Sequence, residues 1–212
     1  MDNRIAAVLE EYHARIRAEQ NRPRNADGNG DERDQRLLAV GPETGQLINI
    51  LAKSLAAPTI LEIGTSYGYS GIWLAEAARA AGGRLITLEL QDYKSAYAKE
   101  MAIKAGLADH VDFRVGDAVA LISELSAPID FVLLDLWKNL YVPCLEAFYR
   151  KLAPGAIIVA DNMLRPGGTE VANYGRAVRA KPDITSILLP VGSGIEVSRL
   201  NPMDWQDIDA QG

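Results

Sequence analysis

From Thr59 to Leu200 the chain alternates short apolar runs with segments of helical periodicity, and few folds accommodate that alternation. The apolar runs lie at 59–64, 84–89, 111–115, 130–135, 156–161, 184–190 and 194–200. Helical patterns fill 69–81, 93–105, 117–125, 141–152 and 169–180. Strands joined through helices lie parallel, with right-handed crossovers that put helices on both faces of the sheet. Phe131-Val-Leu-Leu134 and Ile157-Ile-Val-Ala160 lack polar alternation, as expected of strands buried on both faces. Only Val191-Gly-Ser193 separates the last two runs, a link short enough for a hairpin. The expected fold is α/β: a seven-stranded, mostly parallel sheet with helices on both faces and an antiparallel last strand.

The N-terminal part reads differently. Ile5, Val8, Leu9, Tyr12 and Ile16 line one face of a helix within residues 1–20, and residues 21–35 are polar, Gly/Asn/Asp-rich and expected to form a mobile loop. Pro42 then opens a helix with Leu47, Ile48, Leu51 and Leu55 as its buried stripe. The organisation is therefore an N-terminal helix and loop over 1–36 and one α/β domain over 37–212. The apolar face of the first helix has three expected destinations: its own domain, the cleft as a cover, or a homodimer contact.

A formal net charge of -6 and a pI near 5.0 argue against a nucleic-acid backbone or an anionic membrane as partner. No apolar run is long enough to span a bilayer. The single cysteine, Cys144, excludes an intrachain disulfide, sits in a helical pattern as a core residue, and fits a cytoplasmic setting. Neither His13 nor His110 stands in a catalytic pattern, so a histidine-based triad is not expected.

Two of the apolar runs end in acid: Asp135 follows one, and Asp161-Asn162 follows the other. In an open parallel sheet the carboxyl ends of the strands form the ligand crevice, so these three oxygen donors are expected in one cleft. Hard oxygen donors suit a small divalent cation, and Lys138 lies one helical turn from Asp135 as a candidate base. The first strand runs into Glu62-Ile-Gly64-Thr-Ser66-Tyr-Gly68-Tyr-Ser70. Gly64 permits a sharp turn and Gly68 a close approach at a helix N-terminus. The G-x-x-x-G spacing differs from the G-x-G-x-x-G of dinucleotide folds, which weakens a nicotinamide reading. Glu89, roughly 20 residues on, suits a ribose diol. Asp117, at the next strand end, either accepts from an adenine amino group or caps the following helix.

These segments resemble the class I S-adenosylmethionine-dependent methyltransferases. Within them, ILEIGTSYGYS, LITLELQDY, AGLADHV, FVLLDLWKNLY and IIVADNMLRPGG are similar to the cation-dependent O-methyltransferase family of the catechol and caffeoyl-CoA enzymes. The resemblance spans about residues 37–200 and implies a Rossmann-like methyltransferase domain over 37–212. It implies S-adenosylmethionine as cofactor, Mg²⁺ or another divalent cation held by Asp135, Asp161 and Asn162, and Lys138 as general base. It places Glu62, Gly64, Ser66, Gly68 and Ser70 around the methionine end of the cofactor, with Val40 on the same side. Glu89 and Leu90 fall at the ribose, Asp117 and Ala118 beside adenine, and Asp135 and Trp137 in the cofactor and substrate cleft. The implied acceptor is a small aromatic bearing a hydroxyl.

Two positions depart from the family pattern. Leu136 stands where the family often has histidine or alanine. Leu188-Leu-Pro-Val-Gly-Ser193 contains no acid where catechol O-methyltransferase places a glutamate for the second hydroxyl, and Glu196, inside the last strand, does not match it. The resemblance therefore does not carry catechol itself over as acceptor. A free phenol titrates near pH 10, and coordination to Mg²⁺ would stabilise its phenolate. A metal-independent O- or N-methyltransferase and a catalytically inactive cofactor-binding protein remain as alternatives.

Overall fold

The computed structural model describes residues 2–20, 35–126 and 128–202. Its elements, in chain order, are α1 (Asn3–Gln20), α2 (Pro42–Lys53), β1 (Thr59–Ile63), α3 (Tyr69–Ala81), β2 (Arg84–Glu89) and α4 (Asp92–Lys104). They continue with β3 (Val111–Val115), α5 (Ala118–Ser123), β4 (Ile129–Leu134), α6 (Tyr141–Tyr149) and β5 (Leu152–Ala160). The last are α7 (Thr169–Arg179), β6 (Ile184–Leu189) and β7 (Ile195–Leu200). The loop expected at 21–35 lies, apart from Gln35, outside the described residues.

The seven strands form one sheet in the order β3-β2-β1-β4-β5-β7-β6. β1 to β5 pair in parallel, and β7 runs antiparallel to both β5 and β6. This is the Rossmann-like sheet expected from the alternation, with the short link at 191–193 closing the hairpin. The chain winds outward from β1 to β3, then returns to the other side of β1 as β4. The crevice therefore opens between the carboxyl ends of β1 and β4.

Strand alternation splits the apolar side chains between two cores. Ile60, Phe131, Leu133, Ile157 and Val159 pack with α1 to α4; Leu61, Val132, Leu134, Ile158 and Ala160 pack with α5 to α7. Both sets are buried, which is why these strands show no polar alternation. Ile5, Val8, Leu9 and Tyr12 of α1 belong to the first core, so the apolar face of this helix is filled within the chain. Cys144 is buried, and burial pushes its thiol up to about 12, consistent with a packing residue. Among the described residues no helix is long and apolar enough to cross a membrane.

The boundaries of α6, β5 and α5 differ most from the sequence reading. α6 stops at Tyr149 rather than continuing to 152, and β5 starts at Leu152 rather than at 156. Pro154-Gly155 look like a turn in sequence, yet Leu152 pairs with Ile129 across a register shift that absorbs the irregularity. α5 is one short segment, Ala118–Ser123, within the expected 117–125.

Candidate active site

The parallel register brings the chemistry-bearing residues to one line. Ile63 pairs with both Leu88 and Leu134, and Leu134 pairs with Ala160, so the next residue in each case stands at the strand tip. The ladder continues past the strands: Gly64 N–H donates to Leu88 O at 3.0 Å, Asp135 N–H to Ile63 O at 3.0 Å and Asp161 N–H to Leu134 O at 3.1 Å. Gly64, Glu89, Asp135 and Asp161 are thereby held by the sheet itself.

At the β1 tip, the turn depends on glycine. Gly64 has φ 104°, and a Cβ there would overlap the main-chain oxygen of Asp135. Gly68, with φ 89°, precedes α3 and leaves its N-terminus without a side-chain cap. Between them Ser66 adopts φ 48°, and its N–H donates to Glu89 Oε2 at 2.7 Å. Glu89 Oε1 accepts from Gln91 N–H at 3.0 Å. Two main-chain donors thus fix the Glu89 carboxylate, each oxygen keeping capacity for a further donor such as a diol. Ser70 and Val40 are buried, while Leu90 and Trp137 are exposed. Asp117 Oδ1 accepts from Ala120 N–H at 2.9 Å and caps the helix that Ala118 opens, so the capping role read in the sequence is realised.

Glu62, fully buried under the turn, accepts from Thr87 Oγ1 through Oε2; Oε1 has no hydrogen-bond partner. Burial pushes its carboxyl up to about 7, helped by the charges of Asp135 and Glu89 and opposed by the Ser70 and Thr87 hydroxyls. Between about pH 4.5 and 7 the folded chain therefore binds a proton that the unfolded chain releases, so stability falls as pH rises through that window. The expected loss is on the order of 3 kcal/mol. Glu62→Gln should reduce the pH dependence of the cofactor-free thermal midpoint over this range, leaving the share that Asp161 contributes; an unaltered slope contradicts the assignment.

On the other side of the crevice, Lys138 bonds to two of the three predicted donors. Its Nζ donates to Asn162 Oδ1 at 2.6 Å, to Asp135 Oδ1 at 3.2 Å and to the Tyr141 hydroxyl at 2.7 Å. Asn162 is held at φ 58°, a conformation asparagine tolerates better than most residues. Asp161 is buried, and neither carboxylate oxygen has a hydrogen-bond partner. Burial and the nearby Asp135 charge push its carboxyl up to about 7, opposed by the main-chain N–H of Asn162 and the charge of Lys138. Burial likewise raises Asp135, against the pull of Lys138. A buried carboxylate without donors is costly unless protonated or met by a cation. Asp161 beside Asp135 and the Asn162 amide oxygen fits a hard divalent ion on that ground. Among the described residues no cluster of three or more His, Cys, Asp and Glu accompanies them, so any such ion would rely on two carboxylates and an amide.

Sequence reasoning missed Tyr141. Its hydroxyl accepts from Lys138 and donates to Asp161 O at 3.0 Å, tying the β4 tip to the β5 tip. The only signal was its i+3 spacing from Lys138, which places the two one turn apart once Lys138–Leu140 forms a 3₁₀ turn. Glu196, read as unrelated to the acceptor side, is buried and bonded to Arg179 and Ser186, a packing and pairing role.

Known proteins agree with this architecture. A family model described as O-methyltransferase matches residues 31–200. A catechol O-methyltransferase of Niastella koreensis is 37% identical over 134 residues, covering 61% of this chain and 60% of the relative. One of Mycobacterium tuberculosis is 38% identical over 132 residues, covering 62% and 60%. The matches thus span about 60% of the length of these two relatives. The crystal structure of an O-methyltransferase from Bacillus cereus in complex with SAH superposes with a TM-score of 0.74 at 27% identity, covering 95% of this chain and 91% of that one. On the family match over most of its length and on its fold, this chain belongs to the O-methyltransferase family.

Proposed function

We propose that the chain transfers a methyl group from S-adenosylmethionine to a hydroxyl of a small phenolic acceptor, assisted by Mg²⁺ or a similar divalent cation. The observation that carries the metal-assisted reading is Asp161, whose two buried oxygens lack partners beside Asp135 and Asn162. Family membership supports the methyl donor, and the relatives named as catechol O-methyltransferases support a phenolic acceptor.

In this reading Glu89 binds the ribose diol through oxygens already oriented by Ser66 and Gln91. Gly64, Ser66, Gly68 and Ser70 shape the turn around the methionine end, with Glu62 beneath it and Val40 beside it. Asp117 and Ala118 border adenine, and Leu90 and Trp137 flank the mouth. Asp135, Asp161 and Asn162 would hold Mg²⁺, which would supply Lewis-acid stabilisation of the acceptor oxygen. Lys138 takes the hydroxyl proton at Nζ and is oriented by Tyr141. Alignment of donor and acceptor in one cleft lowers the barrier by removing their freedom to miss each other.

A second reading is favoured by one contact: Lys138 Nζ already lies across Asn162 and Asp135, so its ammonium could serve as the site's own cation. The missing acid at 188–193 points the same way. A panel of mono- and vicinal-hydroxyl phenols, assayed with chelator and with added Mg²⁺, separates the two. The first reading expects turnover to vanish in chelator, return with Mg²⁺, and lose its Mg²⁺ response in Asp161→Ala. Full turnover in chelator overturns the metal claim and favours the second.

A further inference from the structure

Helix α1 precedes residues 31–200, the part that the family model matches, and three of its side chains reach the turn after β1. Tyr12 is 1% exposed, and its hydroxyl donates to the Tyr67 carbonyl at 2.6 Å. Its ring packs edge-on to Tyr69 at 5.6 Å and to Tyr97 at 6.4 Å. His13 Nε2 lies 2.9 Å from the Tyr69 hydroxyl, and the Arg15 guanidinium sits over the Tyr67 ring at 4.1 Å. These contacts bear on a segment that needs holding. Tyr67 lies between Ser66 at φ 48° and Gly68 at φ 89°, two neighbouring left-handed positions. A Cβ at Gly68 would meet Ala98 Cβ at 2.6 Å and the Tyr12 oxygen at 3.3 Å, so helix, turn and α4 are in close contact there. Left-handed backbone at a non-glycine residue persists only where the surroundings enforce it.

We propose that Tyr12 is a positioning residue for the cofactor: by holding the Tyr67 carbonyl, it keeps Ser66–Gly68 in the shape that receives the methionine end of the methyl donor. The proposal rests on the reading of this turn as the S-adenosylmethionine site. It makes α1 part of the site rather than a detachable cover. Tyr12 touches neither donor nor acceptor; it acts through the main chain of Tyr67. The same hydrogen bond also sets Ser66, whose N–H fixes Glu89, so the methionine and ribose ends respond together.

Tyr12→Phe removes the hydroxyl and keeps the ring. Calorimetry with SAH should show affinity falling about five- to tenfold, by the loss of one buried hydrogen bond from the competent turn. The KM for S-adenosylmethionine should rise in step, with the KM for a phenolic acceptor unchanged. Val8→Ala, in the buried face of the same helix, should lower the thermal midpoint without weakening SAH. Because coupling is reciprocal, saturating SAH should also slow amide exchange around Tyr12 in the unmodified chain, a readout that needs no variant to fold. SAH binding to Tyr12→Phe as tightly as to the unmodified chain overturns the proposal, as does unaltered exchange around Tyr12. An unmodified chain that fails to bind SAH removes the methyl-donor reading itself, and the proposal with it.

Discussion

Lys138→Met is expected to lower kcat by on the order of 10²- to 10⁴-fold while tightening the binding of a divalent cation. The two effects have opposite signs because the side chain proposed as the base is also the one that would compete with the cation. In the unmodified chain Nζ holds Asn162 Oδ1 and Asp135 Oδ1, on two of the three residues proposed for the cation. A cation bound there would compete with the ammonium for these oxygens, leaving Nζ its bond to the Tyr141 hydroxyl. Methionine matches the four-atom apolar stem of lysine but carries no charge, so the competitor would disappear with the proposed base. Removing one positive charge next to two carboxylates should strengthen Mn²⁺ binding by about tenfold or more. Paramagnetic resonance of bound Mn²⁺ reads the affinity, and single-turnover methyl transfer reads the chemistry. A variant with unchanged kcat contradicts the base role, and one with weaker Mn²⁺ binding contradicts the competition.

Gly64→Ala should unfold the chain or abolish SAH binding. Two costs add at this position. An alanine at φ 104° is strained, and its Cβ would collide with a main-chain atom, the Asp135 oxygen, rather than with a side chain able to rotate away. Together these are worth about 3–5 kcal/mol, against a total stability of about 5–15 kcal/mol for a typical domain. Relief would require β1 and β4 to part at the tips that carry the turn and Asp135. Gly82 provides the contrast, with φ 73° but nothing within 4 Å of an added Cβ. Gly82→Ala should therefore cost about 1 kcal/mol and leave SAH binding intact. Denaturant unfolding of both variants tests this; equal losses at the two sites contradict the close approach of the β1 and β4 tips.

What the chain betrayed in its sequence and what it concealed follow from distance along the backbone. Phe131–Leu134 and Ile157–Ala160 were legible because burial on both faces leaves a local mark, an unbroken apolar run. The tips were legible too, since a parallel sheet collects the residues after each strand at one edge. β5 begins four residues before the apolar run at 156–161, and only the pairing of Leu152 with Ile129 reveals that part of the strand. The contacts of Lys138 were half visible: Asp135 is three residues away, Asn162 twenty-four. Tyr12 was invisible as a site residue, since its hydrogen bond to Tyr67 crosses 55 positions. Its apolar spacing pointed correctly to a buried helix face and said nothing of the hydroxyl.

The most direct measurement is transfer of an isotopically labelled methyl group from S-adenosylmethionine to a vicinal-hydroxyl phenol, followed by mass spectrometry in Mg²⁺ and in chelator. The expected result is one labelled methyl on a phenolic oxygen in Mg²⁺ and none in chelator. Binding of SAH without label transfer to any phenol of a broad panel, with Mg²⁺ present, would contradict it.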